Sequence, residues 1–223
     1  MTFFEQLLDG TRQSRESLVT IPIIQDCLQG KVTLPAYAAF LREAYHHVSH
    51  TVPLMHACRA RIPERLAWMR PEIDEYIEEE NGHDAWILND LRALGDDPDA
   101  VRRAGPGPQT EVMVAYAYDT ISRRNPVGFF GMVHVLEGTS VTLALNAADQ
   151  IQRALALPAS AFSYLRSHGT LDQAHTAHFA ELMNRLDSAE DQSAVIHAAN
   201  MFYRLYGAIF RALPRAQPQE EAA

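Results

Sequence analysis

Apolar residues recur at helical spacing along nearly the whole chain, whereas the alternating runs typical of strands are nearly absent. Thr33 before Leu34 and Pro35 has the pattern of an N-cap followed by proline in the first helical turn, and Gly95 fits a C-cap. The predicted helices are, in order, a short one marked by Phe3, Phe4, Leu7 and Leu8, a short one between the Ile21-Pro22 break and Gly30, and longer ones over about 34–61, 63–94, 109–124, 127–154, 158–186 and 188–213.

These elements predict one all-α domain of about seven helices over residues 1–213. The segment 96–108 contains several Pro and Gly residues and is expected to be a loop with no more than one helical turn. The polar tail 214–223 is expected to be disordered. Helical bundles of this kind hold cofactors and metals in their cores, on facing helices.

Composition narrows the possible partners and the compartment. The net charge of −9 disfavours binding to nucleic acids and to anionic membranes. Two cysteines without CxxC spacing, no basic and apolar leader, and no run of 18 apolar residues predict a cytoplasmic protein without a membrane span. Ten histidines are unusual, and histidine is the commonest metal ligand and the proton carrier near neutral pH.

The strongest chemical pattern lies in the predicted helix 158–186. His168, Asp172 and His175 stand at i, i+4 and i+7, so they share one helical face. Two imidazoles and one carboxylate in a row suit Fe, Mn or Zn. His178 lies in the same row as His175 and is a candidate for supporting a ligand from behind. The alternative is a polar helix face in contact with solvent.

A second pattern is Glu80 and His83, which have the Glu-x-x-His spacing of carboxylate-bridged metal bundles. Glu79 competes with Glu80 for the ligand role or stands behind it. The alternative is an acidic surface segment, for which three consecutive glutamates are typical. The residues on either side are mostly apolar, however, and this favours a face that is partly buried.

A third pattern is Glu137 in an apolar segment. A carboxylate in such surroundings must be paired, protonated or bound to metal, because an isolated buried charge is costly. His134 lies one turn earlier and is a supporting partner or an alternative ligand. The alternative is a salt bridge from Glu137 to Arg123 or Arg124.

A fourth group follows one side of the predicted helix 34–61, where Glu43, His46, His47 and His50 stand at i, i+3, i+4 and i+7. One or two of them could complete a metal shell or bind substrate. Polar residues at the mouth of a bundle would have the same pattern.

With these residues the chain, over about residues 3–212, resembles the heme-oxygenase-like superfamily. Its opening, with Leu28, Pro35 and Phe40 in Leu-Gln-Gly-Lys-Val-Thr-Leu-Pro-Ala-Tyr-Ala-Ala-Phe, is similar to the thiaminase II (TenA) branch. The metal-type residues resemble the diiron oxidases of this fold, which carry a Glu/His pair, a later Glu and a final His-x3-Asp-x2-His. The matching positions here are Glu80, His83, Glu137, His168, Asp172 and His175.

The resemblance implies two Fe(II) ions per chain, with Mn possible, that activate O2 for oxidation of a small organic substrate such as an amino acid or a fatty acid. Some members have a carboxylate where this chain has Tyr76, and a further ligand comes from the first long helix, where Glu43 and His46 are the candidates. The alternative functions are a metal-independent enzyme of the TenA or PqqC type that uses His/Glu acid–base chemistry, and a non-enzymatic binding bundle. Members of the superfamily often form homodimers.

Overall fold

The computed structural model describes residues 1–215, apart from the side chains of 171–174, and these residues form twelve α-helices. No strand occurs within them, so the prediction of an all-α fold is confirmed. Three short 3-10 turns lie at 64–66, 126–128 and 159–161. The helices are α1 (Phe3–Gly10), α2 (Arg12–Val19), α3 (Pro22–Leu28), α4 (Leu34–Val48), α5 (Thr51–Arg61), α6 (Met69–Glu80), α7 (His83–Ala93), α8 (Pro98–Ala104), α9 (Pro108–Arg123), α10 (Phe129–Leu155), α11 (Ser163–Asn184) and α12 (Ala189–Ala212).

The local signals at the helix starts work as the sequence predicts. The Thr33 side chain accepts a hydrogen bond from the Ala36 backbone N–H and caps α4, with Pro35 in the first turn. Gly95 follows α7 with a φ of 90°, the left-handed conformation expected of a glycine after a helix. The predicted loop 96–108 contains α8, which is longer than the single turn expected.

Two predicted long helices are broken, and the prediction of continuous helices there was wrong. The segment 34–61 divides into α4 and α5 at Ser49 and His50, and Pro53 stands in the first turn of the second helix. The segment 63–94 divides into α6 and α7 at Asn81 and Gly82. Gly82 has a φ of 89°, which a residue with a side chain adopts only under strain.

Helix α10 is the centre of the bundle and packs against α11 and α12. A Cβ on Gly131 would lie 2.5 Å from the Ala199 backbone nitrogen, and a Cβ on Gly169 would lie 2.7 Å from Leu145. These two glycines therefore allow α10 to approach both neighbours closely. The segment 126–155, which includes α10, is long and apolar enough to span a membrane by length and composition alone, but 56% of the tested window is buried inside the protein, as in a core helix.

The chain after α12 runs along the bundle surface as far as the described residues extend. Arg215, at the start of the predicted tail, forms an ion pair with Asp26 on α3, with 2.5 Å between Nε and Oδ2. The prediction of disorder for 216–223 lies outside the described residues.

Candidate metal centre

Glu80, His83 and His168 form a compact group of possible metal ligands. They come from the end of α6, the start of α7 and the second turn of α11, and one ligand atom of each lies within 4.8 Å of the others. Nδ1 of His83 is 3.1 Å from Oε2 of Glu80, and the two imidazole ring centres are 4.9 Å apart. The structure thus brings together residues that are far apart in the sequence.

The break between α6 and α7 positions the Glu-x-x-His pair. The sequence placed Glu80 and His83 on one continuous helix, but they flank the turn at Asn81 and Gly82. Glu80 ends one helix and His83 begins the next, and their side chains still meet. The indole of Trp86 stacks on the His83 ring at 4.0 Å between ring centres, which fixes the plane of the imidazole.

Asp90 fixes the start of the helix that carries His168. Its carboxylate is fully buried and accepts hydrogen bonds from the backbone N–H groups of Ser163 at 2.8 Å and Tyr164 at 2.9 Å, and from the Ser163 hydroxyl. A carboxylate at a helix N-terminus satisfies donors that have no partner within the helix. Asp90 lies on α7, so the contact fixes the helix of His83 relative to the helix of His168.

The environment of Glu80 favours its charged form, although the side chain is only 8% exposed. Burial acts to raise its pKa, but the hydrogen bond from His83 and the positive charge available on His168, His83 and His175 outweigh it, and the pKa is lowered. Glu80 is therefore an ionised carboxylate at neutral pH. An anionic oxygen beside imidazole nitrogens is a donor set that divalent first-row metals bind.

His175 lies close to this group on the next two turns of α11. Its Nε2 is 3.4 Å from Oε2 of Glu79, and its ring centre is 6.1 Å from that of Tyr76. Glu79 therefore contacts a candidate ligand, whereas the sequence left open whether Glu79 is itself a ligand or stands behind one. The side chain of Asp172, between the two histidines, lies outside the described residues.

Glu137 lies on the wall of the same cavity as Glu80 and His168. The alternative from the sequence was a salt bridge to Arg123 or Arg124. Both arginines instead pair with Asp119. The Glu137 side chain is half-buried on that wall.

Glu43 and His46, the two candidates from the first long helix, have other surroundings. The Glu43 carboxylate accepts hydrogen bonds from the Gly107 backbone N–H at 3.1 Å and from the Thr110 hydroxyl, so it caps the start of α9. His46 packs edge-on against Tyr45, and burial lowers its pKa. The structure does not bring Glu43 into the group formed by Glu80, His83 and His168.

His134 and His178 also lie apart from that group. His134 is 3.3 Å from the Thr11 hydroxyl and packs against Phe4 and Phe179. Nε2 of His178 is 3.3 Å from Oε2 of Glu72, on the opposite half of α6 from Glu80. His178, Glu72 and Glu75 form a second, more exposed group of possible metal ligands.

Sequence reasoning named His47 only as one of four candidates in a helical row, and the structure places it at the cavity. It is 2% exposed, it lines the cavity, and its Nδ1 has no hydrogen-bond partner among the described residues. Burial and then the nearby His168 lower its pKa to about 3, so it is neutral at physiological pH. The helical row that contains His46 and His47 was recognised in the sequence, but periodicity cannot decide which of two adjacent residues faces the cavity.

The cavity beside the cluster has a volume of about 180 Å³ and walls from α3, α4, α5, α6, α10, α11 and α12. Most of its lining is aliphatic and aromatic. The polar groups that face it include the Ser140 hydroxyl, which has no hydrogen-bond partner among the described residues. An apolar pocket with a few convergent polar groups is the usual form of a small-molecule site.

A helical bundle of this topology has the heme-oxygenase-like fold, and its carboxylate–histidine group is a candidate metal site. The family model described as iron-containing redox enzyme matches residues 38–207. The chain belongs to this family. No curated protein matches the sequence.

Solved structures show the same fold. A domain with a heme oxygenase-like fold from Shewanella denitrificans is 23% identical with a TM-score of 0.82, covering 94% of this chain and 90% of that one. A TenA homologue from Pseudomonas syringae pv. tomato is 14% identical with a TM-score of 0.79, covering 93% and 91%. Heme oxygenase-1 from the cyanobacterium Synechocystis, in complex with heme, is 14% identical with a TM-score of 0.75, covering 94% and 91%. These likenesses confirm the predicted fold.

Proposed function

We propose that this chain is a non-heme diiron oxidase or oxygenase that uses O2 to oxidise a small organic substrate. The observation that carries the proposal is the meeting of Glu80, His83 and His168 within 4.8 Å, with Glu80 and His168 on the wall of an apolar cavity. Membership of the family of iron-containing redox enzymes supports iron as the metal and a redox reaction as the chemistry.

The donor set fits iron. Carboxylate and imidazole ligands suit Fe(II), and Mn(II) takes the same donors. The negative charges of Glu80 and Glu137 would offset the charge of cations held inside the protein. His175 would take part in a second position next to the first, with Glu79 supporting it through the contact at 3.4 Å.

Iron bound at these residues would supply the binding and reduction of O2. The protein groups have separate tasks. Trp86 and Tyr164 hold the imidazole planes of His83 and His168 through ring contacts at 4.0 and 4.8 Å. The apolar walls exclude water from the substrate. His47, neutral and facing the cavity, offers a nitrogen for a hydrogen bond to a bound molecule.

A metal-independent enzyme of the TenA type is the second candidate function. The similarity to a TenA homologue supports it at the level of the fold. His47 and Glu137 would then carry the acid–base chemistry in the cavity. The helix α10 contains no cysteine that could act as a nucleophile.

Metal content tests the proposal. The full chain is loaded anaerobically with Fe(II), freed of excess metal and analysed for iron beside a His168→Ala variant. His197→Ala is the matched control, because His197 is an exposed histidine on α12. We expect about two irons per chain in the wild type and the control, and a loss in His168→Ala.

The other outcomes separate the candidates. A content of one iron per chain would indicate a mononuclear site instead of a diiron site. No iron in the folded wild type would overturn the oxidase proposal and favour the metal-independent enzyme, whose activity a chelator would leave unchanged.

A further inference from the structure

A second groove lies on the surface between α2 and α12, and its lining is polar. It has a volume of about 230 Å³. None of its residues lines the apolar cavity beside the candidate metal ligands, although α12 contributes to both. Apart from Leu18, the side chains on its walls are cationic or carry hydroxyl or amide groups, namely Gln13, Ser14, Ser17, Tyr203, Arg204 and Arg211. The groove is therefore a separate site, and its ligand would be polar.

The two arginines of this groove have no acidic partner among the described residues. Most arginines in the described part of the chain pair with a carboxylate, as Arg12 on α2 does with Asp9. Arg204 and Arg211 form no such ion pair there, and no acidic residue lines the groove. Both exposed guanidinium groups are thus available to an anion, although the chain as a whole carries a net charge of −9.

Gly207 leaves space for one of these guanidinium groups. A Cβ on Gly207 would lie 3.0 Å from Nη1 of Arg211. The Arg211 side chain therefore folds back along α12, in the direction in which helical side chains lean. Arg204 and Arg211 stand seven residues apart, about two helical turns, on one face. The Arg211 guanidinium thus lies between the two backbone positions, beside the middle of the groove wall.

A third arginine stands behind this wall. Arg15 is half-buried on α2 and donates a hydrogen bond to the Leu8 carbonyl at 3.4 Å. Burial raises the pKa of the Tyr203 hydroxyl, and Arg15 opposes this shift through its charge and a hydrogen bond. Arg15 has no ion-pair partner within residues 1–215 outside the masked side chains 171–174. Its positive charge therefore adds to that of the two arginines in the groove.

The α2 wall offers neutral hydrogen-bonding groups. The Ser14 hydroxyl is occupied, because it donates to Oδ1 of Asn200 at 2.5 Å. The side chains of Gln13 and Ser17 are exposed and make no hydrogen bond to another described residue. Donors thus face the groove from both helices. A tetrahedral phosphoryl group presents oxygens in several directions and can accept from both walls, whereas a carboxylate presents two oxygens in one plane.

The volume allows more than one phosphoryl group. An engineered cavity of roughly 150 Å³ holds benzene, and this groove is larger at about 230 Å³. It has room for two linked phosphoryl groups, or for one such group on a small polar body.

We propose that the groove between α2 and α12 binds a small polar anion that carries phosphoryl groups, with Arg204 and Arg211 on its oxygens and Gln13 and Ser17 donating from the other wall. Guanidinium groups suit this task because their planar fork donates two parallel hydrogen bonds to an oxyanion. The site needs neither the metal nor the apolar cavity.

Binding is tested by titration calorimetry on the metal-free full chain, in phosphate-free buffer of low ionic strength. Pyrophosphate is the probe, and citrate is a carboxylate comparison of similar charge. We expect one pyrophosphate per chain, bound at least tenfold more tightly than citrate. Arg204→Gln and Arg211→Gln should each weaken pyrophosphate binding by roughly tenfold. Arg153→Gln is the control, because this exposed arginine on α10 contacts a backbone carbonyl and lies outside the groove.

Gly207→Ala tests the geometry without removing a charge. Its Cβ would displace the Arg211 guanidinium, so pyrophosphate binding should weaken in the wild-type background. In the Arg211→Gln background the same change should have no further effect. Urea unfolding of each variant shows whether it is folded under the conditions of the titration.

Three results would overturn the inference. The first is no saturable binding of pyrophosphate to the wild type. The second is an affinity that Arg204→Gln and Arg211→Gln leave unchanged, and the third is citrate bound as tightly as pyrophosphate. Because these measurements use neither iron nor O2, their outcome is independent of the oxidase proposal.

Discussion

The burial of His134 predicts a specific loss of stability in acid. His134 is 7% exposed in the core between α1, α10, α11 and α12, and burial lowers its pKa from the ordinary 6.5 to about 4. Between these two values the unfolded chain binds a proton at this residue and the folded chain does not. The free energy of unfolding therefore falls as the pH falls below 6.5.

The magnitude follows from the shift. Each pH unit within this window changes the free energy of unfolding by about 1.4 kcal/mol per proton. From pH 6.5 down to about pH 5, His134 should lower the stability by about 2 kcal/mol. His47 acts in the same direction because its folded pKa is about 3, so the wild type should lose more than His134 alone accounts for.

The assay compares the wild type with His134→Gln, which does not titrate but keeps a polar group near the Thr11 hydroxyl. Urea unfolding of metal-free protein is measured at about pH 7 and about pH 5. The samples are kept dilute because the isoelectric point is about 5.5. The loss of stability on acidification should be smaller in the variant by about 2 kcal/mol.

The exposed His197→Gln serves as control and should behave as the wild type. An equal acid loss in the wild type and in His134→Gln would refute the reasoning. It would mean that His134 takes up its proton in the folded state, by opening of the core or by access of water to the ring.

Three further predictions concern backbone and capping. Gly131→Ala should destabilise the protein by about 3 kcal/mol or more in urea unfolding because its Cβ meets backbone on α12, whereas Gly138→Ala, with nothing within 4 Å, should be neutral or slightly stabilising. Glu43→Gln should lower the melting temperature by weakening the cap of α9 and leave the iron content unchanged; loss of iron would make Glu43 a ligand after all. Gly82→Ala and Gly95→Ala, at φ values of 89° and 90° at the two ends of α7, should each lower stability by about 1–2 kcal/mol, but only the first should also weaken iron binding in a metal titration.

Much of the fold was predictable because its signals are local. The cap at Thr33, the apolar spacing and the scarcity of strand patterns are properties of short segments. They gave the all-α class and the bounds of α9, α10 and α12 to within two residues, whereas α2 was not predicted and the count of about seven helices was too low. The two missed breaks also had local signals, namely Pro53 in the first turn of α5 and Gly82 before α7. The prediction followed the continuous amphipathic pattern across both positions and therefore gave unbroken helices.

The site was predictable in residue types and less so in arrangement. The Glu-x-x-His spacing identified Glu80 and His83 correctly as neighbours, although by way of a helix that the structure replaces with a turn. Which of His46 and His47 faces the cavity depends on the rotation of α4 about its own axis relative to α7 and α9, against which it packs. That rotation is set by long-range packing, and no single segment of the sequence contains it.

The same reasoning explains why the candidate ligands stand where helices end or pack most closely. A buried carboxylate such as Glu80 needs several partners, and one helix can offer it only the residues one turn away. The turn at Gly82 brings His83 to Glu80, and Gly169 allows the helix of His168 to lie against α10 at the next residue. Asp90, on the helix of His83, fixes the start of the helix of His168 through hydrogen bonds to its first backbone N–H groups. The scaffold thus gathers these candidate ligands by its own packing. A cation bound there would not have to order them itself, and less of the free energy of its binding would be spent on folding the site.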